Sequence, residues 1–134
     1  MASVVDLCRK VVEKTPDALA YGIVDSNSGM LIGVHHVVPH FTPEYLDAIA
    51  ATAVEMFRGR TVKRVEELLS SLRGSPVKDS FEEIFISSTM VYHFMKVIRD
   101  KQVVVVLVTR KNLSQGMGWA SLRNTIADLL TVLP

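Results

Sequence analysis

The sequence predicts an α+β domain in which an antiparallel sheet carries helices on both faces. Two short strand-like stretches are joined by a tight polar turn, which makes a hairpin. Three more such stretches follow one another with little between them, which makes a meander. Helical patterns stand before, between and after these groups, so the element order reads α-β-β-α-β-β-β-α. A chain of 134 residues is the length of one domain, taken as a single unit over 1–134, and is large enough for a core of its own.

The first helix starts where Ser3 can cap it, with Asp6 at the capping-box position. Val4, Leu7, Cys8 and Val11 then recur at helical spacing, and Pro16 marks the end. The stretches "LAYGIVD" and "GMLIGVHHV" are strands, and "SNSG" between them is a turn whose glycine supplies positive φ. In "PHFTPEYL" Thr42 is a good N-cap and Pro43 suits the first helical position. The second helix is expected to be long. Leu46, Ile49, Ala50, Ala53 and Phe57 form one stripe, and Val62, Val65, Leu69 and Leu72 resume it beyond Gly59. A glycine inside a helix costs about 1 kcal/mol against alanine, so one helix bent at Gly59 is the expectation. Gly74 and Pro76 stop it.

The meander comprises "FEEIFIS", "MVYHFMKVI" and "QVVVVLVT", with Asp100 and Lys101 turning between the last two. The unbroken apolar run from Val103 to Val108 predicts a central strand covered on both faces. A final helix places Trp119, Leu122, Ile126, Leu129 and Leu133 on one stripe.

Composition narrows the function classes. Hydrophobic residues make up 49% and charged residues 22%, the balance of a folded globular chain. A formal net charge of +1 gives no pull toward nucleic acid or an anionic membrane, and neither is expected as a partner. The longest apolar run, "VVVVLV", is too short to span a bilayer. The single Cys8 fits a reducing compartment, and the charged N-terminal stretch makes a poor signal peptide, so a cytoplasmic protein is expected.

Several local patterns imitate chemistry. Gly116 to Gly118, "GMG", follows a strand and opens a helix, but Ser121 stands where a dinucleotide-binding turn needs its third glycine. The plainer reading is a loop whose glycines let the last helix approach the sheet. "DSNSG", Asp25 to Gly29, begins like a calcium loop, yet His36 occupies the position of the bidentate acid. No P-loop sequence is present. Ser87, Ser88 and Thr89 lack a nucleophile elbow that would join them to His93 as a base. Glu82 and Glu83 are neighbours on a strand and point to opposite faces, which rules out a paired acid and base.

Three of the four histidines lie in "GVHHVVPH". His35 and His36 are adjacent at a strand end and project oppositely, so only one can share a site with His40, and a closed structural metal site wants four ligands. No catalytic residue, cofactor or metal is expected.

The hairpin "AYGIVDSNSGMLIG", the long middle helix, the meander ending in "VVVVLVT" and the closing "NLSQGMGWASLRNTIADLL" together resemble the roadblock family. In the last segment Gly118 and Leu122 stand where the family often has a glycine and an apolar residue opening the final helix. The resemblance covers nearly the whole chain, with the extended "HHVVPHFTP" connection and Gly59 as departures.

The resemblance implies a sheet of order 2-1-5-4-3, with the second helix on one face and the first and last on the other. It implies a homodimer that pairs third strands edge to edge and second helices side by side. Met56, Val65, Phe81, Ile84, Phe85 and Ile86 are then the candidate interface, and Arg58, Arg60 and Arg64 the candidate partner-facing cluster on the helix. A solvated basic face is the plainer account of the arginines. An apolar edge strand is a liability unless another chain covers it, and Tyr45, Val54 and Met56 add apolar surface off the main helical stripe.

The implied function is a non-catalytic dimeric scaffold or regulator of a Ras-like small GTPase, acting through its long second helix. The competing expectation is a small-ligand sensor or enzyme with a PAS- or profilin-like sheet. That reading needs a pocket under the second helix, with Tyr92, His93 and Lys96 supplying polar groups.

Overall fold

The computed structural model describes residues 3–134. Helix α1 spans Val4–Lys14 and leads into the hairpin of β1, Ala18–Asp25, and β2, Leu31–His36. Two helices follow, α2 over Pro43–Arg58 and α3 over Arg60–Arg73. The meander is β3, Glu83–Ser87, β4, Val91–Ile98, and β5, Val103–Arg110, and α4 closes the fold over Gln115–Val132. The sheet order is β2-β1-β5-β4-β3, with each neighbouring pair antiparallel. The α+β class and the strand order therefore stand as the sequence led one to expect.

Strand β5 lies at the centre and feeds both cores. Val103, Val105 and Leu107 belong to the cluster under α1 and α4, and Val104, Val106 and Val108 to the cluster under α2. Alternation at period two produces this split, and it explains why the run reads as uninterrupted apolar sequence. On the α4 side Tyr21 is fully buried, and its hydroxyl lies 2.7 Å from Thr125 Oγ1, which joins β1 to α4. Gly118 lets α4 approach β4, because a Cβ there would lie 2.2 Å from the Phe94 ring. Gly116 has no such role, since a Cβ would meet nothing within 4 Å.

The local signals behave as their chemistry dictates. Ser3 and Asp6 form a reciprocal capping box, and Thr42 Oγ1 accepts from Tyr45 N–H at 3.2 Å with Pro43 at the helix start. In the β1–β2 turn the Asp25 carboxylate accepts from Asn27 N–H at 3.1 Å and Ser28 Oγ at 2.8 Å, and Gly29 takes φ 76°. The β4–β5 connection is a short 3-10 turn over Arg99–Lys101, with Gln102 left-handed at φ 55°.

Three details differ from the sequence expectation. The long helix is two helices, because Gly59 is extended at ψ 172° and both ends α2 and begins α3. A Cβ at Gly59 would sit 2.4 Å from Glu55 O, so only glycine suits the break. The stripe resumed on α3 faces outward: Val62 and Glu66 are buried, whereas Val65, Leu69 and Leu72 are exposed. Strand β3 begins at Glu83, which leaves Phe81 in the preceding loop. Among the described residues no helix is long and apolar enough to cross a membrane.

Candidate protein–protein interface along β3 and α3

Strand β3 is an edge. Glu82 O accepts from Val97 N–H at 3.0 Å, and Ser88 N–H donates to Val91 O at 3.0 Å, so the even-numbered residues aim their backbone groups at β4. The backbone of Glu83, Phe85 and Ser87 therefore points away from the sheet. Side chains alternate independently of this. Ile84 and Ile86 pack half-buried on the α2 side, against the buried cluster that includes Met95, Val106 and Val108. Phe85 packs on the α4 side, its ring 5.1 Å from Tyr92 and 5.2 Å from Phe94. Phe94 in turn meets Trp119 edge-on at 5.2 Å. The six expected interface residues thus occupy different surfaces: Met56, Ile84 and Ile86 the α2 side, Phe85 the α4 side, and Val65 the outer face of α3.

Phe81 stands apart from them. It helps line a cavity of about 20 Å³ with Phe57, Arg58, Ile98 and Val103 at the end of the sheet.

Helix α3 is held from below and bare above. Glu66 Oε2 accepts from Ser80 N–H at 2.7 Å and Ser80 Oγ at 2.6 Å. Ser70 Oγ accepts from Val77 N–H at 2.8 Å. These bonds fasten the loop before β3 to the inner face of α3. The outer face presents Val65, Leu68, Leu69 and Leu72, with Leu72 84% exposed. Spacing of three and four makes them one stripe. An apolar stripe this open and an unpaired strand edge are each the signature of a docking surface.

The arginines divide. Arg58 braces the fold, its Nη1 donating to Ser26 Oγ at 3.2 Å and Asn27 Oδ1 at 3.0 Å, with Nε 3.7 Å from Asp79. Arg60 is exposed, and Arg64 makes only an exposed pair with Glu67 at 3.3 Å. Across the sheet Glu83 is clamped by Lys96 at 3.3 Å and Arg123 at 3.1 Å. Burial pushes the Glu83 carboxyl up, but the hydrogen bonds from Lys96 and Arg123 outweigh it and hold it below the usual range.

The groups considered for chemistry do not converge. His93 is buried on the α2 side, whereas Tyr92 and Lys96 face α4. Ser87 shares the α4 side, and Ser88 Oγ donates to Val91 O at 3.0 Å, so neither serine meets His93. The void beneath α2, lined by His93, Ala20, Val34, Leu46 and Val106, is about 30 Å³. A space of that size takes one water, not a ligand, which weighs against the sensor reading. His36 and His40 pack against Phe41 at 5.8 and 5.4 Å between ring centres, and His35 lies on the opposite sheet face. Among the described residues no cluster of three or more metal-ligating side chains occurs.

Three features escaped the sequence reading. They are the Glu66–Ser80 clasp, the Glu83–Lys96–Arg123 cluster and Leu68 on the bare stripe. Leu68 had a signal, since it stands three residues from Val65 and four from Leu72. The other two join residues 14 and 40 apart, which no local pattern announces.

No family model matches the sequence, and no curated protein matches it. Solved structures do. A Roadblock/LC7 domain from Streptomyces avermitilis superposes with a TM-score of 0.70 at 11% identity, covering 97% of both chains. MglB of Myxococcus xanthus gives 0.68 at 16% identity, covering 96% of this chain and 92% of that one. An MglB described as having a tetrameric arrangement gives 0.70 at 15% identity over 96% of this chain and 86% of that one. At such identities the likeness speaks for the fold alone, and the chain has the Roadblock/LC7 fold.

Proposed function

We propose that this chain is a non-catalytic dimeric scaffold or regulator of a Ras-like small GTPase. The observation that carries the reading is the bare apolar stripe of α3, together with the unpaired edge of β3. Val65, Leu68, Leu69 and Leu72, with half-buried Met56, Ile84 and Ile86, supply the apolar contact that a stable interface needs. Phe85 contributes from the other sheet face. The resemblance to the roadblock family supplies the class of partner. Arg60 and Arg64, whose guanidiniums are not used to hold the fold together, face that partner, while Arg58 braces the helix that presents them. The exposed arginines act by recognition, as nothing near them prepares a reacting group.

The reading is tested by capture. Immobilised chain is exposed to Ras-like GTPases from its source cell, loaded with GDP or with a non-hydrolysable GTP analogue. Binding that depends on the nucleotide, and that Arg60→Glu with Arg64→Glu weakens, is the expected result. Equal failure to bind either form at about tens of micromolar, a free energy weaker than about −7 kcal/mol, would sink the regulatory reading.

A further inference from the structure

We propose that protonation of His93 lifts the N-terminal half of α2 from the sheet, so that the helix is an acid-operated gate hinged at its Arg58 end. His93 lies on the α2 side of β4 and is only 7% exposed. Its buried Nδ1 meets no hydrogen-bond partner among the described residues. The ring borders the void of about 30 Å³, whose other walls include Ala20, Val34, Leu46, Ile49 and Val106. A single water fits there, but walls this apolar give it too few partners to be held firmly. A neutral imidazole is tolerated in such a place with one bond unmade. An imidazolium is not, since it carries two N–H donors and a full charge.

Nothing around the ring offsets that charge. The one other titratable side chain on the void is Tyr45. The acidic residues of α2, Glu44, Asp47 and Glu55, are exposed and do not line it. On this face β1 brings Ala20 and Gly22, β3 brings Ile84 and Ile86, and β5 brings Val106 and Val108. The next residue of β5 on the same face is Arg110, a second cation. Glu82, just before β3, lies beside Arg99 beyond the other end of β4. His36 and His40 pack against Phe41, another wall of the void, and can add only positive charge. The neighbours of the ring are thus neutral or of the wrong sign.

Helix α2 is held unevenly. Toward its end Ala53 and Phe57 are fully buried, and Arg58 is tied to Ser26 and Asn27. Toward its start Leu46 and Ile49 are half-buried and Tyr45 is exposed. The loosely held half is the one that roofs the void at His93. Local opening therefore starts there, and it brings water to the ring without disturbing the core under α1 and α4. Contacts made through the outer side of α2 are then released in acid.

Burial lowers the His93 pKa, so the lifted state takes up a proton that the closed state refuses. Below about pH 6.5 the lifted population rises, by at most about tenfold per pH unit, until the closed state titrates too. Hydrogen exchange of the full chain measures this, read by mass spectrometry at about pH 7.5 and about pH 5.5 and corrected for the chemical exchange rate. The expected result is a rise of roughly fivefold or more confined to the segment from Tyr45 to Ala50. Exchange in α4, and the fluorescence of Trp119 on the opposite face, should not change. His93→Gln, which stays polar and cannot charge, should abolish the rise. An equal rise in that variant, or a rise spread evenly over α4 and β5, overturns the proposal. NMR of the unmodified chain needs no substitution. The His93 ring and the amides of Leu46 and Ile49 should follow one titration midpoint, and a ring that titrates while those amides stay unmoved overturns it as well.

Discussion

Single residues show how contacts distant in sequence decide what a side chain does. Gly118 was legible as the glycine that lets the last helix approach the sheet. The structure supplies the partner, the Phe94 ring 2.2 Å from where a Cβ would be. Gly118→Ala must displace either a buried ring or a helix, and the expected cost is about 1–3 kcal/mol, read as a lower urea midpoint at unchanged slope. His93 was legible only as a polar residue on a strand. Its burial depends on α2 crossing above it, and its Nδ1 has no partner among the described residues. Burial lowers its pKa. The unfolded chain therefore binds a proton at a higher pH than the folded one. Above about pH 6.5 the group adds no slope, and as pH falls below that value stability is lost until the folded group also titrates. Chemical denaturation at pH 7 and pH 5 should show this loss, and His93→Gln should reduce it. An equal loss in both proteins would assign the slope to other groups. Asp6, Asp25 and Glu83 act lower on the scale: their depressed carboxyls add stability that is lost only as pH falls below the usual carboxylate range.

Among the elements, those with strong local punctuation were readable. The capping box at Ser3, the Asp25–Gly29 turn, Thr42 with Pro43, and the apolar run of β5 each fixed an element's place before any long-range contact was known. Gly59 was harder. A glycine inside a helical pattern permits either a bend or a break, and the choice lies with distant groups: Arg58 is tied to Ser26 and Asn27 on the β1–β2 turn, which holds the end of α2. The outward stripe of α3 misled for a different reason. Periodicity locates an apolar face but not the surface that covers it. Glu66 takes the inward position because the Ser80 amide and hydroxyl satisfy its carboxylate. Replacing Leu68 and Leu72 with glutamate therefore removes no contact of the folded core. Measured on dilute chain, stability should change by no more than about 0.5 kcal/mol per site. At micromolar concentration the same protein should associate less. A large loss of stability in the dilute chain would show that the stripe is structural.

At the scale of the whole molecule, the sheet order, its antiparallel pairing and the helices on both faces followed from the element order together with the roadblock resemblance. What the sequence could not supply was the division of surfaces, because this depends on which edge is left unpaired and which face of α3 is covered. The folded chain resolves that division. The void beneath α2 at His93 is the size of one water, while the edge of β3 and the outer face of α3 are open. The open edge of β3 and the bare stripe of α3 are what support the dimeric scaffold proposed above. Light scattering coupled to size exclusion, at micromolar concentration, tests this claim most directly. The account predicts about twice the 14.9 kDa of a single chain for the unmodified protein, falling toward one chain when Leu68 and Leu72 are replaced by glutamate. A mass of one chain for the unmodified protein would contradict it.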